Sequence, residues 1–360
     1  MPTITKSIGT NARDYSTIAA WEADLANSAV YSSGDEAVGE CYNDSVFDES
    51  FDIDDTGPAY GLSSITLKAN SSDKHDGTEG SGVKVTYTGA ESHNMSIFSV
   101  TYDKDTYGTN LVKIEDIEFG DITVSADVNF VGFNLGLDSC IMSRCLIYDI
   151  TAATPGNRSF KVFGLDSDNG VTLQNTIIYN CGKTATGGST NGKVTCFYSA
   201  SQAEYYNVTV YNIYDNTPTA ASWGAFDGVY KNCIIVGVGQ SFRQETGSSS
   251  DYNLSDDSHA PGANSIKNVN VSRLFVSKSA GSIDLHLKNL SQALRKGLNI
   301  GTSNNVQKDI DGEDRDTSGA TNWDIGADQC GSCTPDKEEE FSSRMTLNGG
   351  DMGSFNMTKR

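Results

Sequence analysis

Two aspartates, Asp121 and Asp149, come nearest in type and spacing to a known chemistry. They hold the same position in a motif that recurs along the chain. If copies of the motif stack as parallel strands, the two carboxylates fall on adjacent rungs about 4.8 Å apart. Retaining glycosidases hold their two carboxyl groups about 5 Å apart, so an acid and nucleophile pair fits this spacing. The column continues, however, as Asn180 and Asn212, whose amides cannot take either role. Asn and Asp share a tolerance for left-handed backbone, so turn chemistry is the first reading of the column and catalysis the second.

The other chemical candidates are weaker. GLDSDNG, with Asp166 and Asp168, has the composition of a loop. DIDGEDRD sets Asp309, Asp311, Asp314 and Asp316 at calcium-loop spacings, but the distal bidentate Glu is missing. A solvated closing turn is the first reading there, and bound calcium the second. The single CGSC at Cys330 and Cys333 supplies half of what a structural zinc site uses, and the four histidines show no zinc-ligand or nucleophile-pair spacing. No metal or other cofactor is expected.

The motif that aligns the two aspartates determines what positions everything else. It reads IEDIEFGDI from Ile114 to Ile122, IMSRCLIYDI ending at Ile150, LQNTIIYNC from Leu173 to Cys181, YYNVTVYNI from Tyr205 to Ile213, and YKNCIIVGV from Tyr230 to Val238. Anchors at Ile117, Cys145, Thr176, Val208 and Cys233 are spaced 28, 31, 32 and 25 residues apart. Short β-branched strands at that period cannot bury an apolar face alone and must stack on one another. Two columns after the anchor are apolar throughout: Phe119, Ile147, Ile178, Val210 and Ile235, then Ile122, Ile150, Cys181, Ile213 and Val238. Asp116, Arg144, Asn175, Asn207 and Asn232 precede the anchor, and Asp121, Asp149, Asn180, Asn212 and Gly237 follow it where the chain must turn. Amides stacked in such columns can link from rung to rung.

Strand alternation then turns a second set of side chains outward: Leu146 and Tyr148, Ile177 and Tyr179, Thr209 and Tyr211, Ile234 and Val236. A free solenoid face should be polar, so this apolar and aromatic strip calls for a cover. A long loop or the carboxy-terminal tail of the same chain is one cover. A partner docked on Leu146, Tyr148, Ile177, Tyr179, Tyr211 and Ile234 is another, and a sugar-stacking platform is a third.

Composition agrees with one elongated β domain. The 360 residues include 36 Gly and only 6 Pro, which suits many tight turns that leave ladder hydrogen bonds intact. A net charge of -21 lacks the basic footprint of a nucleic-acid binder. No apolar stretch is long enough to span a membrane, and the first residues do not read as a secretory signal. Synthesis in a cytoplasm, with the 8 cysteines reduced, is the expectation. Cys145, Cys181 and Cys233 lie in apolar columns, where a thiol packs as a small hydrophobe. From Ser16 to about Ala26 the spacing turns helical, with Ile18, Trp21 and Leu25 on one face and Ser16 as the expected cap. A helix there closes the open end of the first coil.

Taken together, GTNARDYSTIAAWEADL, the ITLKA strand, the ladder, DYNLSDD, IDLHLKNLSQALRKGLNIG and DIDGEDRDTSGATNWDIGADQ resemble right-handed parallel β-helix proteins of the pectate-lyase-like superfamily, with a closing module of the bacterial and phage kind. The expected fold is therefore all-β: a right-handed parallel β-helix solenoid with an N-terminal capping helix and a C-terminal closing module. Its expected bounds are 1–35 for the cap, 36–280 for the coils, 281–329 for the closing module and 330–360 for a tail or attachment segment. The resemblance covers most of residues 1–329 and says little about chemistry, because this scaffold hosts lyases, hydrolases, esterases and inert fibres. The ordered NTD, DD, HG and RIK motifs of polygalacturonase-like enzymes are absent, and the arginines are scattered rather than gathered as a lyase base.

The functional expectation is a noncatalytic bacteriophage virion protein: a surface fibre, spike or decoration element. Its partners would be other virion proteins, further copies of the chain and a host surface polysaccharide. A polysaccharide-binding or polysaccharide-degrading spike is the alternative. The segment after Gln329 loses strand periodicity but scatters Phe341, Met345, Leu347, Met352, Phe355 and Met357 along a polar run. Phe341, Met345, Leu347 and Phe355 are the expected anchors by which it packs on the solenoid or a neighbouring subunit.

Overall fold

The computed structural model describes residues 2–53, 61–89, 96–100, 111–124, 129–135, 140–152, 159–165, 170–184, 193–199, 203–216, 222–243, 249–315 and 321–335. The tail anchors Phe341, Met345, Leu347 and Phe355, together with Asp166, Asp168 and Asp316, lie outside these residues.

Successive coils each lay strands into three parallel sheets of eight, eight and seven strands. The first sheet runs from Thr3–Ile8 to Val229–Lys231, the second from Phe47–Asp48 to Leu254–Ser255, and the third from Phe51–Ile53 to Gln240–Phe242. This is the parallel β-helix solenoid expected from the repeat. Its register is the one the apolar columns require: Ile147 pairs with Phe119 and Ile178, Ile178 with Val210, and Val210 with Ile235. A slip of one residue would turn every one of these side chains to the opposite face.

Both polar columns adopt left-handed backbone. Asp116, Arg144, Asn175, Asn207 and Asn232 have φ between 50° and 62°, and Asp121, Asp149, Asn180 and Asn212 between 48° and 56°. The buried amides form a ladder in which Asn207 Nδ2 donates to Asn175 Oδ1 at 2.9 Å and Asn232 Nδ2 to Asn207 Oδ1 at 3.0 Å. Arg144 begins this column differently, gripping Asp116 with Nε and Nη2 at 2.7 and 2.9 Å. Inside the coils, like residues stack on like: Phe130 on Phe160, Phe133 on Phe163 and Tyr205 on Tyr230, with ring centroids 4.9, 4.8 and 4.4 Å apart. Cys145, Cys181 and Cys233 are buried in the same core, and burial pushes each thiol up to about 12.

The capping helix, Ile18–Ala23, buries Ile18 and Trp21 as expected, but its cap is Thr17 rather than Ser16. Thr17 Oγ1 accepts the Ala20 N–H at 3.1 Å, and the Glu49 carboxylate takes the Ile18 and Ala19 N–H groups. The first strand of the ladder already lies at Thr3–Ile8, within the segment expected to be cap alone. Among the described residues, no helix is long and apolar enough to cross a membrane.

The solenoid ends earlier than the expected 280. Its last ladder strand is Leu254–Ser255, after which Phe275–Ser279 and Ser282–Leu287 form an antiparallel hairpin. This closing module folds back over the outer face of the second sheet. Leu146, Tyr148, Ile177, Tyr179 and Ile234 are at most 2 % exposed and share one cluster with Leu274, Phe275, Leu285, Ile325 and Ala327. Tyr211 is partly buried and meets the Phe275 ring edge-on at 6.1 Å. The strip is therefore covered by its own chain, which corrects the assignment of these six residues to a partner interface. The module is pinned as well as packed, since Leu298 exchanges two 2.8 Å hydrogen bonds with the Asn232 amide and the Ala327 N–H donates to Thr209 Oγ1.

Asp257 secures the far end of the third sheet. Its carboxylate accepts from Ser241 N and Oγ at 2.9 and 2.5 Å and from the His259 N–H at 2.9 Å. Burial alone would raise its pKa, but these hydrogen bonds outweigh it and hold the carboxyl down at about 2. A carboxyl depressed from 3.8 stabilises the fold above that pH, and the contribution is lost as pH falls through about 2. Asp257→Asn should cost on the order of 1 kcal/mol at pH 7 once solvent screening is allowed for. Denaturant melts of both proteins between pH 5 and about pH 2 should show the difference closing; a constant difference would contradict the assignment.

Candidate ligand cleft

The outer face of the third sheet carries what the acid pair does not, a set of convergent cations and aromatic rings. Its strands Phe160–Leu165, Val194–Ser199, Ser222–Phe226 and Gln240–Phe242 stack so that Lys161, Thr195, Trp223 and Gln240 form one column. Gly164, Tyr198 and Phe226 form the next, and the Arg243 N–H extends the ladder by donating to the Ala225 carbonyl at 3.0 Å. Between the two columns, Val162 with Phe163 and Cys196 with Phe197 all turn into the core. Two consecutive inward residues break the simple alternation and put the outward positions three apart.

Each cation lies against a ring. The Lys161 ammonium is 3.7 Å from the Tyr198 ring centroid, the Lys193 ammonium 4.7 Å from that of Trp223, and the Arg243 guanidinium carbon 3.4 Å from a Trp223 ring centroid. Tyr198 stacks on Phe226 with centroids 5.3 Å apart and planes 13° from parallel. Tyr198 is 37 % exposed, so its ring is open to a ligand, whereas Trp223 is buried at 6 % beneath the cations. With Ser159 and Thr195 these groups line a cleft of about 460 Å³, and no carboxylate is among its described lining residues. In a chain of net charge -21, the charged groups among the described lining residues are all cations.

Cations held over aromatic faces are attracted by the ring quadrupole and so are oriented before a ligand arrives. An exposed aromatic ring offers a flat apolar platform with a polar edge, and the hydroxyls of Ser159 and Thr195 add hydrogen-bonding capacity. The arrangement suits a sugar ring bearing a carboxylate or sulfate.

The residues singled out by sequence lie elsewhere. Asp121 and Asp149 do occupy adjacent rungs, but on the second sheet. Asp121 is exposed and ion-paired with Lys84. The Asp149 carboxyl is raised, chiefly by burial, with Glu79 and Asp121 adding to the effect and a hydrogen bond from Asn180 opposing it. Both have turn backbone, and Asn212 Nδ2 donates to Asn180 Oδ1 at 2.8 Å along the same column.

The DIDGEDRD segment is not solvated at its start. Asp309 is fully buried and spends its carboxylate on the N–H groups of Asp311, Glu313 and Gln329. Asp314 pairs with Lys308 at 2.8 Å. Cys330 and Cys333 form a disulfide, which departs from the expectation of eight reduced thiols; the other six are free and buried.

Sequence reasoning missed Lys161, Lys193 and Arg243 because they are dispersed along the chain and meet only when coils stack. The signal present was the paired aromatic positions Tyr198 and Phe226, one coil apart and each followed or preceded at a distance by a basic residue.

No protein-family model and no curated protein matches the chain. Among solved structures, it is similar to the pectin methylesterase from Aspergillus niger at 13 % identity, over 74 % of this chain and 84 % of that one, with a TM-score of 0.34. The strand order and register of the chain itself establish it as a parallel β-helix protein.

Proposed function

We propose that this β-helix is a noncatalytic surface protein that holds an acidic polysaccharide in the cleft formed by Lys161, Lys193, Tyr198, Trp223, Phe226 and Arg243, and that it does so as a fibre, spike or decoration element of a bacteriophage virion. The observation that carries the reading is the convergence of three cations on an aromatic platform, with no carboxylate among the described lining residues. An acidic sugar chain would stack a ring face on Tyr198 and place its anionic groups on the lysines and the arginine. The virion setting draws on the resemblance of the segments from Asp251 to Gln329 to closing modules of bacterial and phage β-helices.

Calorimetric titration with matched acidic and neutral oligosaccharides tests the binding. Acidic oligomers should bind, more weakly as salt is raised, and neutral ones should not. Arg243→Ala and Lys161→Ala should each weaken binding about tenfold or more, since one charge-assisted hydrogen bond contributes roughly 1.5–3 kcal/mol. Equal affinity for neutral chains, or unchanged affinity in both variants, would defeat the reading. New reducing ends or unsaturated products in the same mixtures would make the protein an enzyme instead. Immunogold labelling of intact phage particles tests the virion setting separately.

A further inference from the structure

The closing module gathers a second set of groups, none of which lines the cleft. Asp284 and His286 lie on the strand Ser282–Leu287, Asp311 on the turn after Ile310, and Asp328 just after Ala327. One donor atom each from His286, Asp311 and Asp328 lies within 4.8 Å of the others, and His286 Nε2 is 3.2 Å from Asp311 Oδ1. Three ligands placed about 2.1 Å from a tetrahedral metal stand about 3.4 Å apart, so a small closure of the triangle completes such a site.

The imidazole is already turned for this role. Its Nδ1 meets Asp284 Oδ1 at 2.6 Å, which directs Nε2 towards the other two carboxylates. Metal-bound histidines use this outer carboxylate to fix ring orientation and tautomer. Asp328 is positioned by the backbone, its Oδ2 accepting the Leu287 N–H at 2.7 Å.

The facing wall is Gly77, at φ +81°, where an added Cβ would lie 2.5 Å from His286 Nε2 and 3.0 Å from Asp311 Oδ1. Only a residue without a side chain leaves the approach to these two atoms open. His286 and Asp311 keep side-chain exposures of 19 % and 30 %, so both side chains are reached by solvent.

We propose that His286, Asp311 and Asp328 bind a divalent transition metal of the zinc class, oriented by Asp284, which ties the closing turn to the module's hairpin. An imidazole nitrogen with two carboxylates favours zinc-like ions over calcium or magnesium, which prefer all-oxygen shells. The competing arrangement is a protonated imidazolium bridging Asp284 and Asp311 without any metal. The two differ in a measurable way, because metal binding must expel the proton between Nε2 and Asp311.

The test is calorimetric titration of the chelator-treated full-length protein with zinc chloride, without reductant, in two buffers of different ionisation enthalpy. One zinc per chain should bind with proton release and raise the melting temperature. Asp311→Asn and Asp328→Asn should abolish that binding, and Asp284→Asn should weaken it about 10–100-fold while leaving the fold intact by circular dichroism. His286→Gln serves as a second ligand variant if either aspartate variant folds poorly. Absence of zinc binding, or binding that survives in the ligand variants, would overturn the proposal in favour of the imidazolium bridge.

Discussion

Ile178→Asp is expected to destabilise the solenoid by at least about 4 kcal/mol, combining the loss of a buried aliphatic side chain with the burial of a carboxyl that has no partner. Ile178 is fully buried, with Ile147 and Val210 directly above and below it in the ladder. An aspartate there must either remain charged in an apolar stack or take up a proton, and both states cost free energy relative to the unfolded chain. Thermal melting followed by circular dichroism should show a large drop, with Val46→Ala at an exposed site as the control that changes stability by less than about 1 kcal/mol. Because long solenoids can unfold irreversibly, the rate of loss at fixed temperature should be compared as well. Native-like melting of the Ile178 variant would mean that the residue does not face the interior.

Arg315→Leu is expected to open the closing module, with a penalty of about 3–5 kcal/mol for breaking a buried charge cluster. Arg315 is 1 % exposed, and its guanidinium donates to the carbonyls of Gly326 and Ala327 at 2.8 and 2.7 Å and, less closely, of Asp324 at 3.3 Å. Burial pushes the carboxyls of Asp309 and Asp324 up to about 6, against the pull of this arginine. Leucine would remove the guanidinium donor from these carbonyls, of which Ala327 alone keeps a described backbone partner, the Ile310 N–H, and would take a buried cation away from the carboxylates. The loss should be local at first. The module covers Leu146, Tyr148, Ile177 and Tyr179, so its opening should expose that strip, raise binding of a hydrophobic dye and speed hydrogen exchange in Leu146–Ala152. Exchange confined to the module's own residues, with the strip still protected, would show that the cover holds without Arg315.

The two variants probe different kinds of information. The Ile178 column, the left-handed Asn and Asp columns and the capping helix were legible in the amino-acid order, because each rests on a local rule repeated in every coil. A residue in left-handed backbone is drawn from Asn, Asp or Gly in most coils, and an inward strand position is apolar in all of them. Five aligned copies make such rules readable where one would not. Arg144 departs from the rule and is compensated by its two hydrogen bonds to Asp116, a pairing one coil below it. The cap moved by one residue, from Ser16 to Thr17, since either hydroxyl satisfies the local preference and the position of Glu49 beneath the helix selects between them.

The outward strip shows where local rules stop. Alternation places Leu146, Tyr148, Ile177 and Tyr179 outside the coil, but it does not say what covers them. That depends on how the chain returns after Ser255, through pairings such as Asn232 with Leu298 that join residues far apart in sequence. The cleft is a stronger case. Lys161, Lys193 and Arg243 converge only through the stacking of successive coils, on strands where two consecutive inward residues displace the outward positions. His286, Asp311 and Asp328 meet because a hairpin and a closing turn fold onto one another, not because of any spacing between them. The sequence by itself determined the coil, its register and its turns, since these are short-range preferences repeated along one axis. The tertiary structure alone decided which surface is covered and where charged groups converge, because those depend on distances between coils and on the return path of the closing module, which no local preference encodes.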